Sequence, residues 1–365
     1  MSLKFLALAG GGTGGHFYPL VAFNRYAAKR KTFKGILFFG DKRGIEFRKK
    51  DLLKADKLYF SHFRKFKGSS PLGKFLYFLS TSAQAVKIGQ TLKGKDFVSL
   101  IFGGYTSVPL ALATRLRKKP LFIHEQNAVP GSANRFLSRF AKKVFLTFPG
   151  SEGFFKTQKC EVVGLPVREE LYTYKKLSKE ELLKKLGWDS KFTLLILGGS
   201  QGAKTLNGLA LELSTKLEGI RILHIAGEKN FQTVKREYEK LPVKVELRLY
   251  PFAENIGELL RVSDFAISRS GASTSMELAL FGIPTIFVPY PYAVYDHQYF
   301  NALYFTQGGG AFLFREQELK TDRVVEIVRE HIKDRNALKE RSKLMEKLFI
   351  PNAEEKILKG LLEEL

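Results

Sequence analysis

The chain has 365 residues, 44% of them hydrophobic and 26% charged, a composition that excludes a disordered or fibrous protein and makes two domains the expectation. Its single cysteine, Cys160, excludes an intramolecular disulfide and fits a reducing compartment. Residues 1–164 carry 30 Lys and Arg against 8 Asp and Glu, so almost all of the net charge of +24 lies there, and this half is expected to face a polyanionic surface.

Short apolar runs alternate with helix-length segments along the chain, which predicts parallel sheets joined by right-handed crossovers. In the first half, the predicted strands are residues 5–8, 36–39, 98–102, 121–124, 144–146 and 161–163. In the second half, they are residues 193–197, 221–226, 244–249, 265–267, 285–288 and 311–314. The pattern predicts two doubly wound α/β domains, residues 1–164 and 165–350, with a C-terminal helix, residues 351–365, packing back on the first domain.

The first predicted strand runs into a glycine-rich turn, AGGGTGGHFYP, at residues 9–19. Glycines let backbone N–H groups approach a ligand and the start of a helix favours an anion, so this turn predicts a phosphate site. Gly10, Gly12 and Gly15 also match the dinucleotide-binding spacing, with Asp41 after the second strand. A nicotinamide-dependent oxidoreductase is therefore one alternative, although it explains only this loop.

Further polar motifs follow predicted strands, at the sheet edge where α/β proteins bind ligands. They are FGGYTSVP and HEQN in the first half, and GGSQGA and SRSGASTSME in the second half. The small residues of the last motif expose helix N–H groups to an anion, and its Glu277 is a candidate acceptor of hydrogen bonds from a ribose diol. Gln298 and Asn301 lie three residues apart on one helical face, and their amides suit sugar hydroxyls.

Seven motifs occur in order across nearly the whole chain: GGGTGGHFYP, FGGYTSVP, HEQN, GLPVR, GGSQGAKTLN, SRSGASTSMELALFGIP and DHQYFNA. Together they resemble the MurG family, the peripheral-membrane N-acetylglucosaminyltransferases of bacterial peptidoglycan synthesis. The resemblance implies a GT-B fold, in which two Rossmann-like domains face each other across a cleft. It also implies inverting transfer of GlcNAc from UDP-GlcNAc to the muramyl 4-hydroxyl of lipid I (undecaprenyl-diphospho-MurNAc-pentapeptide), which gives lipid II.

By this resemblance the second domain binds the donor and the first domain binds the acceptor. The residues expected to bind UDP-GlcNAc are Thr13, Gly14, Gly15, Asn127, Arg168, Ser200, Gln201, Phe252, Ala253, Ala272, Ser273, Thr274, Glu277, Gln298 and Asn301. On the acceptor side, Gly12, Gly104 and Tyr105 are expected, and Thr13, Gly14 and Gly15 of the same turn are expected near the acceptor diphosphate as well as near the nucleotide sugar. Two positions depart from the family pattern, since Leu165 stands where asparagine is common and Ala253 replaces a larger aliphatic residue.

Inverting transfer needs a base for the acceptor hydroxyl and a means of stabilising the departing UDP. His16 follows the glycine turn at the start of a helix, and histidine is the side chain most often used as a general base, while Glu125 is the competing catalytic candidate and His124 a third. The leaving-group charge would be met by helix N–H groups and Arg168. No Asp-x-Asp motif occurs, so neither a metal ion nor another cofactor is expected.

The segment of residues 63–79 mixes basic and aromatic side chains, and Ser70-Pro71 predicts the start of a helix. Its apolar residues cover more than one helical stripe, which favours insertion into a membrane interface over a purely internal position. The predicted membrane patch consists of Leu72, Lys74, Phe75, Leu76, Phe78 and Leu79.

The expected partners are UDP-GlcNAc, lipid I, other cell-wall enzymes and an anionic membrane surface. The implied location is peripheral, at the cytoplasmic face of the bacterial plasma membrane. No nucleic-acid partner is expected, because the basic half contains no recognisable RNA- or DNA-binding module. An enzyme that glycosylates another lipid, such as diacylglycerol, is the remaining alternative, and the HEQN motif and the paired glycine loops argue against it.

Overall fold

The computed structural model describes residues 4–63, 70–155, 159–198 and 203–364. Contacts divide the chain into two compact units, one formed by Met1–Arg168 with Ile350–Leu365 and the other by Glu169–Phe349. Within the described residues, each unit is built on one parallel sheet. This confirms the predicted fold class, two doubly wound α/β sheets.

The strands lie close to the predicted positions and alternate with helices throughout. The strands are β1 Phe5–Ala9, β2 Gly35–Asp41, β3 Lys57–Ser61, β4 Phe97–Ile101, β5 Leu121–Glu125, β6 Lys143–Leu146, β7 Cys160–Val162, β8 Thr193–Leu197, β9 Arg221–Ile225, β10 Glu246–Tyr250, β11 Phe265–Ser268, β12 Thr285–Phe287 and β13 Ala311–Leu313. The helices are α1 Gly14–Arg30, α2 Ile45–Arg48, α3 Pro71–Thr91, α4 Val108–Leu116, α5 Ser132–Leu137, α6 Glu169–Lys176, α7 Lys179–Leu186, α8 Lys204–Lys216, α9 Phe231–Glu239, α10 Ile256–Val262, α11 Ala272–Phe281, α12 His297–Gln307, α13 Thr321–Lys333, α14 Arg335–Lys347 and α15 Ala353–Glu363.

The sheet of the first unit has the order β3-β2-β1-β4-β5-β6-β7 among the described strands. Strand β1, in the interior of this sheet, is buried on both faces, because Leu6 and Leu8 pack with α1 and α15 while Ala7 and Ala9 pack with α3 and α4. Side chains of a strand alternate between the two faces of a sheet, so an unbroken apolar run is typical of such a doubly covered strand. Ligand-binding loops then emerge at the carboxyl edge of this sheet.

Strand β3 is absent from the sequence-based prediction. It lies at the edge of the sheet, its first two residues are exposed, and it pairs only with β2 among the described strands. The stacking of Tyr59 on Phe39, with ring centroids 5.0 Å apart, helps to hold it there. A short, half-exposed edge strand lacks the continuous apolar run that is typical of the buried strands. Its hydrogen bonds to β2 identify it as a strand, whereas its residue pattern does not.

The C-terminal helix α15 packs in the first unit, where Ile357 and Leu361 are fully buried in the core. The backbone at Gly164 lies close to the segment that leads into α15. Gly164 has φ +92°, and a Cβ there would lie 2.5 Å from the carbonyl oxygen of Ile350. The backbone N–H of Val167 donates to Glu354 Oε1 at 2.8 Å. Residues 165–168 therefore group with the first unit by their contacts.

The sheet of the second unit has the order β10-β9-β8-β11-β12-β13 in the part of the chain that the structure describes. Inside it, His224 of β9 is fully buried between Asn207 Oδ1, 3.0 Å from Nε2, and the Tyr238 hydroxyl, 2.9 Å from Nδ1. Burial lowers the pKa of His224 to about 3. The imidazole is therefore neutral in the folded chain at neutral pH.

We expect the second unit to lose stability as the pH falls below about 6.5, the ordinary pKa of an unfolded histidine. The folded pKa is the lower one, so the stability is present above pH 6.5 and declines towards pH 3, with a slope that approaches about 1 kcal/mol per pH unit once the unfolded histidine is protonated. Urea unfolding followed by the fluorescence of Trp188, the single tryptophan, measures this at pH 7, 6 and 5. The variant His224→Gln serves as the control, and an equally steep decline in it would contradict the assignment to His224.

Candidate functional site

The glycine turn of the first unit lies where β1 meets α1, beside the loop that follows β4. Gly12 has φ +78°, and Thr13 is the exposed N-cap residue of α1 and makes no side-chain capping bond. Gly104 has φ +77°, and a Cβ there would lie 2.5 Å from the carbonyl oxygen of Gly11. Glycine is therefore required at Gly104 both for backbone conformation and for the close approach of the two loops. The structure thus brings together two loops that the sequence separates by about 90 residues.

Glu46, a buried carboxylate that the sequence motifs did not indicate, accepts hydrogen bonds from the backbone of the glycine turn and of the end of β2. Its Oε2 accepts from the N–H of Gly12 at 2.9 Å and its Oε1 from the N–H of Asp41 at 3.1 Å. A Cβ on Gly11 would lie 2.4 Å from Oε2, so glycine is needed there to admit the carboxylate. Because the N–H of Gly12 already has an acceptor, the outward-facing N–H groups of the turn must come from its later residues.

Replacing Glu46 with glutamine is expected to lower the free energy of unfolding of the first unit by about 1–3 kcal/mol. Both carboxylate oxygens accept from backbone N–H groups, and a backbone N–H cannot be exchanged for an acceptor by rotation. The NH₂ group of the glutamine must therefore face another donor, and one hydrogen bond is lost. Urea unfolding followed by circular dichroism measures the change. Asp51→Asn, an exposed substitution nearby, is the control, and equal stability of the two variants would contradict the supporting role of Glu46.

Asp41, the residue that completes the dinucleotide-binding spacing, is fully buried and already bonded. The Tyr105 hydroxyl donates to its Oδ2 at 2.7 Å, and Arg43 Nη2 lies 3.2 Å from the same oxygen. Burial would raise the pKa of Asp41, but the hydrogen bonds from Tyr105 and Arg43 outweigh it and lower the pKa. This carboxylate therefore links loops within the first unit, and the geometry gives no support to a ribose-binding role.

The HEQN segment at the end of β5 lies next to His16. His16 Nδ1 and Gln126 Oε1 are 2.7 Å apart, and Gln126 Nε2 in turn lies 3.0 Å from His124 Nδ1. His124 is fully buried, stacks on Phe102, and has its pKa lowered to about 4 by burial. His16 is half-buried, so of these two histidines it is the one with access to solvent.

Glu125, the competing catalytic candidate, is 1% exposed, and both of its oxygens accept hydrogen bonds. Its Oε1 accepts from the backbone N–H of Asn127 at 2.9 Å and from the amide of that side chain at 3.4 Å. Its Oε2 accepts from Asn134 Nδ2 at 2.8 Å and from the N–H of Gly131 at 3.3 Å. The carboxylate therefore holds the loop after β5 in shape, and Asn127 is part of that loop.

In the second unit, helix α11 begins directly after β11, with Gly271 as its N-cap residue and no side-chain cap. Ala272, Ser273 and Thr274 form its first turn, and within the described residues the buried Ser273 Oγ has no hydrogen-bond partner. An uncapped helix start with small side chains exposes N–H groups that favour an anion. Glu277 follows in the second turn and is half-buried.

Helix α12 places Gln298 and Asn301 against the loop before α11. The Ser270 hydroxyl donates to the carbonyl oxygen of Gln298 at 2.7 Å, and Asn301 Nδ2 donates to the carbonyl oxygen of Ser270 at 3.0 Å. Gln298 Oε1 accepts from the N–H of Tyr290 at 3.0 Å, while Asn301 is fully buried. The amide of Gln298 therefore contacts the segment after β12, and the amide of Asn301 contacts the loop before α11.

Arg269 is a further residue that the sequence reading passed over. Arg269 is 9% exposed, and its guanidinium donates to the carbonyl oxygens of Val288 and Pro289, each at 3.0 Å, and pairs with Glu316. These contacts tie the ends of β11 and β12 together beneath α12. The signal available in the sequence was a charged residue directly after a buried strand.

The remaining predicted donor residues are scattered over the two units. Phe252 follows β10 and is 42% exposed, and Ala253 beside it is half-buried. Arg168 is the last residue of its segment of the first unit, with its guanidinium carbon 5.6 Å from the ring centroid of Tyr18. Ser200 and Gln201 lie outside the described residues.

Helix α3 begins at Pro71 as predicted, and Ser70 Oγ accepts from the N–H of Gly73 at 3.1 Å. It exposes large apolar side chains, whereas Leu76 is half-buried, and the side chain of Lys74 lies outside the described part. The exposed members of the predicted membrane patch are Leu72 at 67%, Phe75 at 57%, Phe78 at 64% and Leu79 at 47%. Within residues 4–63, 70–155, 159–198 and 203–364, no helix combines the length and the apolar character that a membrane span needs.

Comparison with known proteins covers both units. The family model described as the glycosyltransferase family 28 N-terminal domain matches residues 6–146, and the model of the C-terminal domain of that family matches residues 193–357. A solved structure, that of Acinetobacter baumannii MurG, covers 99% of this chain and 100% of its own, with a TM-score of 0.77 and 27% sequence identity. The predicted GT-B fold class, with two Rossmann-like domains, is thereby confirmed.

Two curated relatives carry the name UDP-N-acetylglucosamine–N-acetylmuramyl-(pentapeptide) pyrophosphoryl-undecaprenol N-acetylglucosamine transferase. The relative from Aquifex aeolicus (strain VF5) is 42% identical over 368 residues, which cover 98% of this chain and 99% of that protein. The relative from Sulfurihydrogenibium sp. (strain YO3AOP1) is 34% identical and covers 99% of each chain. The chain therefore belongs to glycosyltransferase family 28 and, within it, to the MurG family of N-acetylglucosamine transferases.

Proposed function

We propose that this chain transfers GlcNAc from UDP-GlcNAc to the muramyl 4-hydroxyl of lipid I, giving lipid II with inversion at the anomeric carbon. The observation that carries the proposal is the presentation of His16 on a glycine turn at the carboxyl edge of the first sheet, next to the HEQN segment. The relatives' names supply the donor and the acceptor, and the family membership supports carrying both over to this chain.

The second unit is proposed to bind the donor. The N–H groups at the start of α11, at Ala272, Ser273 and Thr274, are suited to a diphosphate, because they are uncapped and carry the positive end of the helix dipole. The exposed Phe252 offers a flat surface to uracil, with Ala253 at its edge. The proposed remaining contacts are Glu277 to the ribose, Gln298 and Asn301 to the GlcNAc hydroxyls, and Ser200 and Gln201 to the phosphates.

The first unit is proposed to bind the acceptor. Thr13, Gly14 and Gly15 are suited to a diphosphate because the turn ends in the start of α1, and Gly104 and Tyr105 border the same turn. His16 is proposed as the base for the 4-hydroxyl, since both oxygens of Glu125 are already engaged and His124 is fully buried. Arg168 and Asn127 are proposed to contact the nucleotide sugar.

The function is tested directly with labelled UDP-GlcNAc and a soluble lipid I analogue, with diacylglycerol as the alternative acceptor. We expect transfer to the lipid I analogue alone, and calorimetric binding of UDP in the absence of any acceptor. Transfer to diacylglycerol would instead support the rival lipid glycosyltransferase. If the folded protein shows no heat of binding in calorimetry with UDP or with UDP-GlcNAc, the nucleotide-sugar proposal is wrong.

We further propose that the chain docks peripherally on the anionic cytoplasmic face of the plasma membrane through α3, and that other cell-wall enzymes are its neighbours there. Phe75 and Phe78 are more than half exposed on this helix, and exposed aromatic side chains of this size favour an interface. The excess of Lys and Arg in residues 1–164 adds an electrostatic attraction of about 1 kcal/mol for each basic residue close to the surface.

The double variant Phe75→Ser, Phe78→Ser is expected to bind vesicles of anionic phospholipid about 10- to 100-fold more weakly, because two apolar side chains no longer enter the interface. Sedimentation at several salt concentrations measures the partition coefficient, which should also fall as salt rises. Leu241→Ser, an exposed leucine of the second unit, is the control. Equal binding by the double variant and the control would contradict docking through α3.

A further inference from the structure

His16, Gln126 and His124 form a continuous row of hydrogen bonds in the first unit. Gln126 Nε2 lies 2.9 Å from the carbonyl oxygen of His124 and 3.0 Å from His124 Nδ1. A carbonyl oxygen only accepts, so the amide nitrogen must face it, and the amide oxygen must face His16. The backbone at His124 therefore sets the direction of the Gln126 amide.

This direction assigns the proton on each imidazole. Gln126 Oε1 lies 2.7 Å from His16 Nδ1 and only accepts, so His16 Nδ1 carries a proton. At the other end, Gln126 Nε2 donates to His124 Nδ1, so the proton of His124 is on Nε2, which donates to the carbonyl oxygen of Gly164 at 3.0 Å. A neutral imidazole is protonated at one nitrogen, which leaves the lone pair of His16 on Nε2.

We propose that Gln126, oriented by His124, is a positioning residue that holds His16 in the tautomer whose Nε2 accepts a proton. The inference rests on the proposed role of His16 as the base in GlcNAc transfer. In that step the proton of the acceptor hydroxyl passes to Nε2, and the acceptor oxygen forms a bond to the anomeric carbon. The bond from that carbon to UDP breaks, and its electron pair leaves with UDP.

Hydrogen bonding to Gln126 also favours the product of proton uptake. The imidazolium of His16 keeps its Nδ1–H bond to the Gln126 oxygen, and a bond from a charged donor is stronger than one from a neutral donor. The amide therefore selects the tautomer before the reaction and stabilises the charge during it. A histidine at position 126 would not define the direction of this hydrogen bond, because the proton of a neutral imidazole can occupy either nitrogen.

Burial keeps this row in one state. Gln126 is 1% exposed and His124 fully buried, and burial lowers the pKa of His124 to about 4. A protonated His124 would direct Nδ1–H at the NH₂ group of Gln126, so the row requires the neutral form. The ring of His16 is also confined, since a Cβ on Gly103 or on Gly104 would lie 3.3 Å from one of its atoms.

The tautomer is measured without any substitution by ¹H–¹⁵N correlation spectra of the imidazole side chains in the labelled full-length chain at pH 8. His16→Ala assigns the His16 signals. We expect a protonated Nδ1 and an unprotonated Nε2. A wild-type spectrum in which His16 Nε2 is protonated would overturn the inference.

The positioning role is measured with Gln126→Leu, which removes both the acceptor and the donor. We expect the His16 signals to move towards a protonated Nε2 and kcat to fall about 10- to 100-fold, as is typical when the orienting partner of a functional histidine is lost. The KM for UDP-GlcNAc should stay within about twofold, because this row lies outside the proposed donor contacts of the second unit. Gln232→Leu, an exposed substitution in the second unit, is the control.

The two proposals fail in different ways. Wild-type turnover by Gln126→Leu, together with an unchanged His16 spectrum, would overturn the positioning role while leaving His16 as the base. Wild-type turnover by His16→Ala would show that His16 is not the base, and the row of hydrogen bonds would then have no catalytic role. The tautomer measured in the wild-type spectrum would be unaffected by that result.

Discussion

Replacing His16 with alanine is expected to lower kcat about 100- to 10,000-fold, the usual contribution of a positioned general base. The acceptor hydroxyl is a poor nucleophile until its proton is removed, and His16 is the half-buried member of a hydrogen-bonded row that leaves its Nε2 lone pair available. Binding of UDP-GlcNAc should change little, because its proposed diphosphate site is at the start of α11. Steady-state kinetics with a lipid I analogue, together with calorimetry of donor binding, measure both quantities.

His62→Ala is the matched control, since His62 is an exposed histidine of the same unit. It removes an imidazole of the first unit outside the glycine turn. If His16→Ala and His62→Ala turn over at the same rate, His16 has no part in the chemistry. If His16→Ala instead loses donor binding, its role is structural, and the base must be sought elsewhere in the first unit.

Replacing Glu125 with alanine is expected to lower kcat/KM for the acceptor about 100-fold, because the carboxylate organises the loop after β5. Its Oε2 accepts from Asn134 Nδ2 at 2.8 Å, and in the described residues Asn134 Oδ1 has no partner. Glu125→Gln should be milder, within about tenfold of the wild type. With the new NH₂ group on the Oε2 side, a rotated Asn134 amide can accept from it, and only the long 3.3 Å bond from the Gly131 N–H to that oxygen is given up. The comparison separates a loop-holding carboxylate from a base.

A base cannot be replaced by an amide, whereas a hydrogen-bond acceptor can be replaced in part. If Glu125→Gln loses as much activity as Glu125→Ala, with both proteins folded by circular dichroism, Glu125 acts on the proton and the assignment of His16 is wrong. The same substitution at Glu46 behaves differently, because each of its oxygens accepts from a backbone N–H group and neither bond comes from a side-chain amide that could rotate. Kinetics for the Glu125 variants and unfolding for the Glu46 variant make the contrast measurable.

The chemistry of the site also bears on the alternative readings of the sequence. The glycine spacing alone is equally compatible with a dinucleotide, but Asp41 is buried beneath Tyr105 and Arg43 and has lost the freedom to meet a ribose. The second sheet repeats the strand–turn–helix pattern with an uncapped helix start at α11. The phosphate site proposed at this second helix start would serve a nucleotide-sugar transferase, whereas an oxidoreductase would leave it unused.

Local sequence patterns were sufficient to predict the two sheets and the positions of most strands along the chain. A run such as Phe5–Ala9 or Thr193–Leu197 is apolar at every position because both faces of the strand are covered, and that pattern can be read without any partner. The glycine turns could be recognised for the same reason, since a positive φ and a close backbone approach are conditions on single residues. The edge strand β3 carries no such local mark and was missed.

Partners distant in sequence could be seen only in the folded chain. Glu46 meets Gly12 across 34 residues, and Gln126 meets His16 across 110 residues, so no spacing rule connects them. The folded structure also decides which of the three titratable candidates can act as a base, which residue type alone leaves open. His16 is half-buried, burial keeps His124 neutral, and hydrogen bonds engage both oxygens of Glu125. Hydrogen-bond direction and desolvation depend on three-dimensional neighbours, whereas periodicity and glycine content belong to the chain itself.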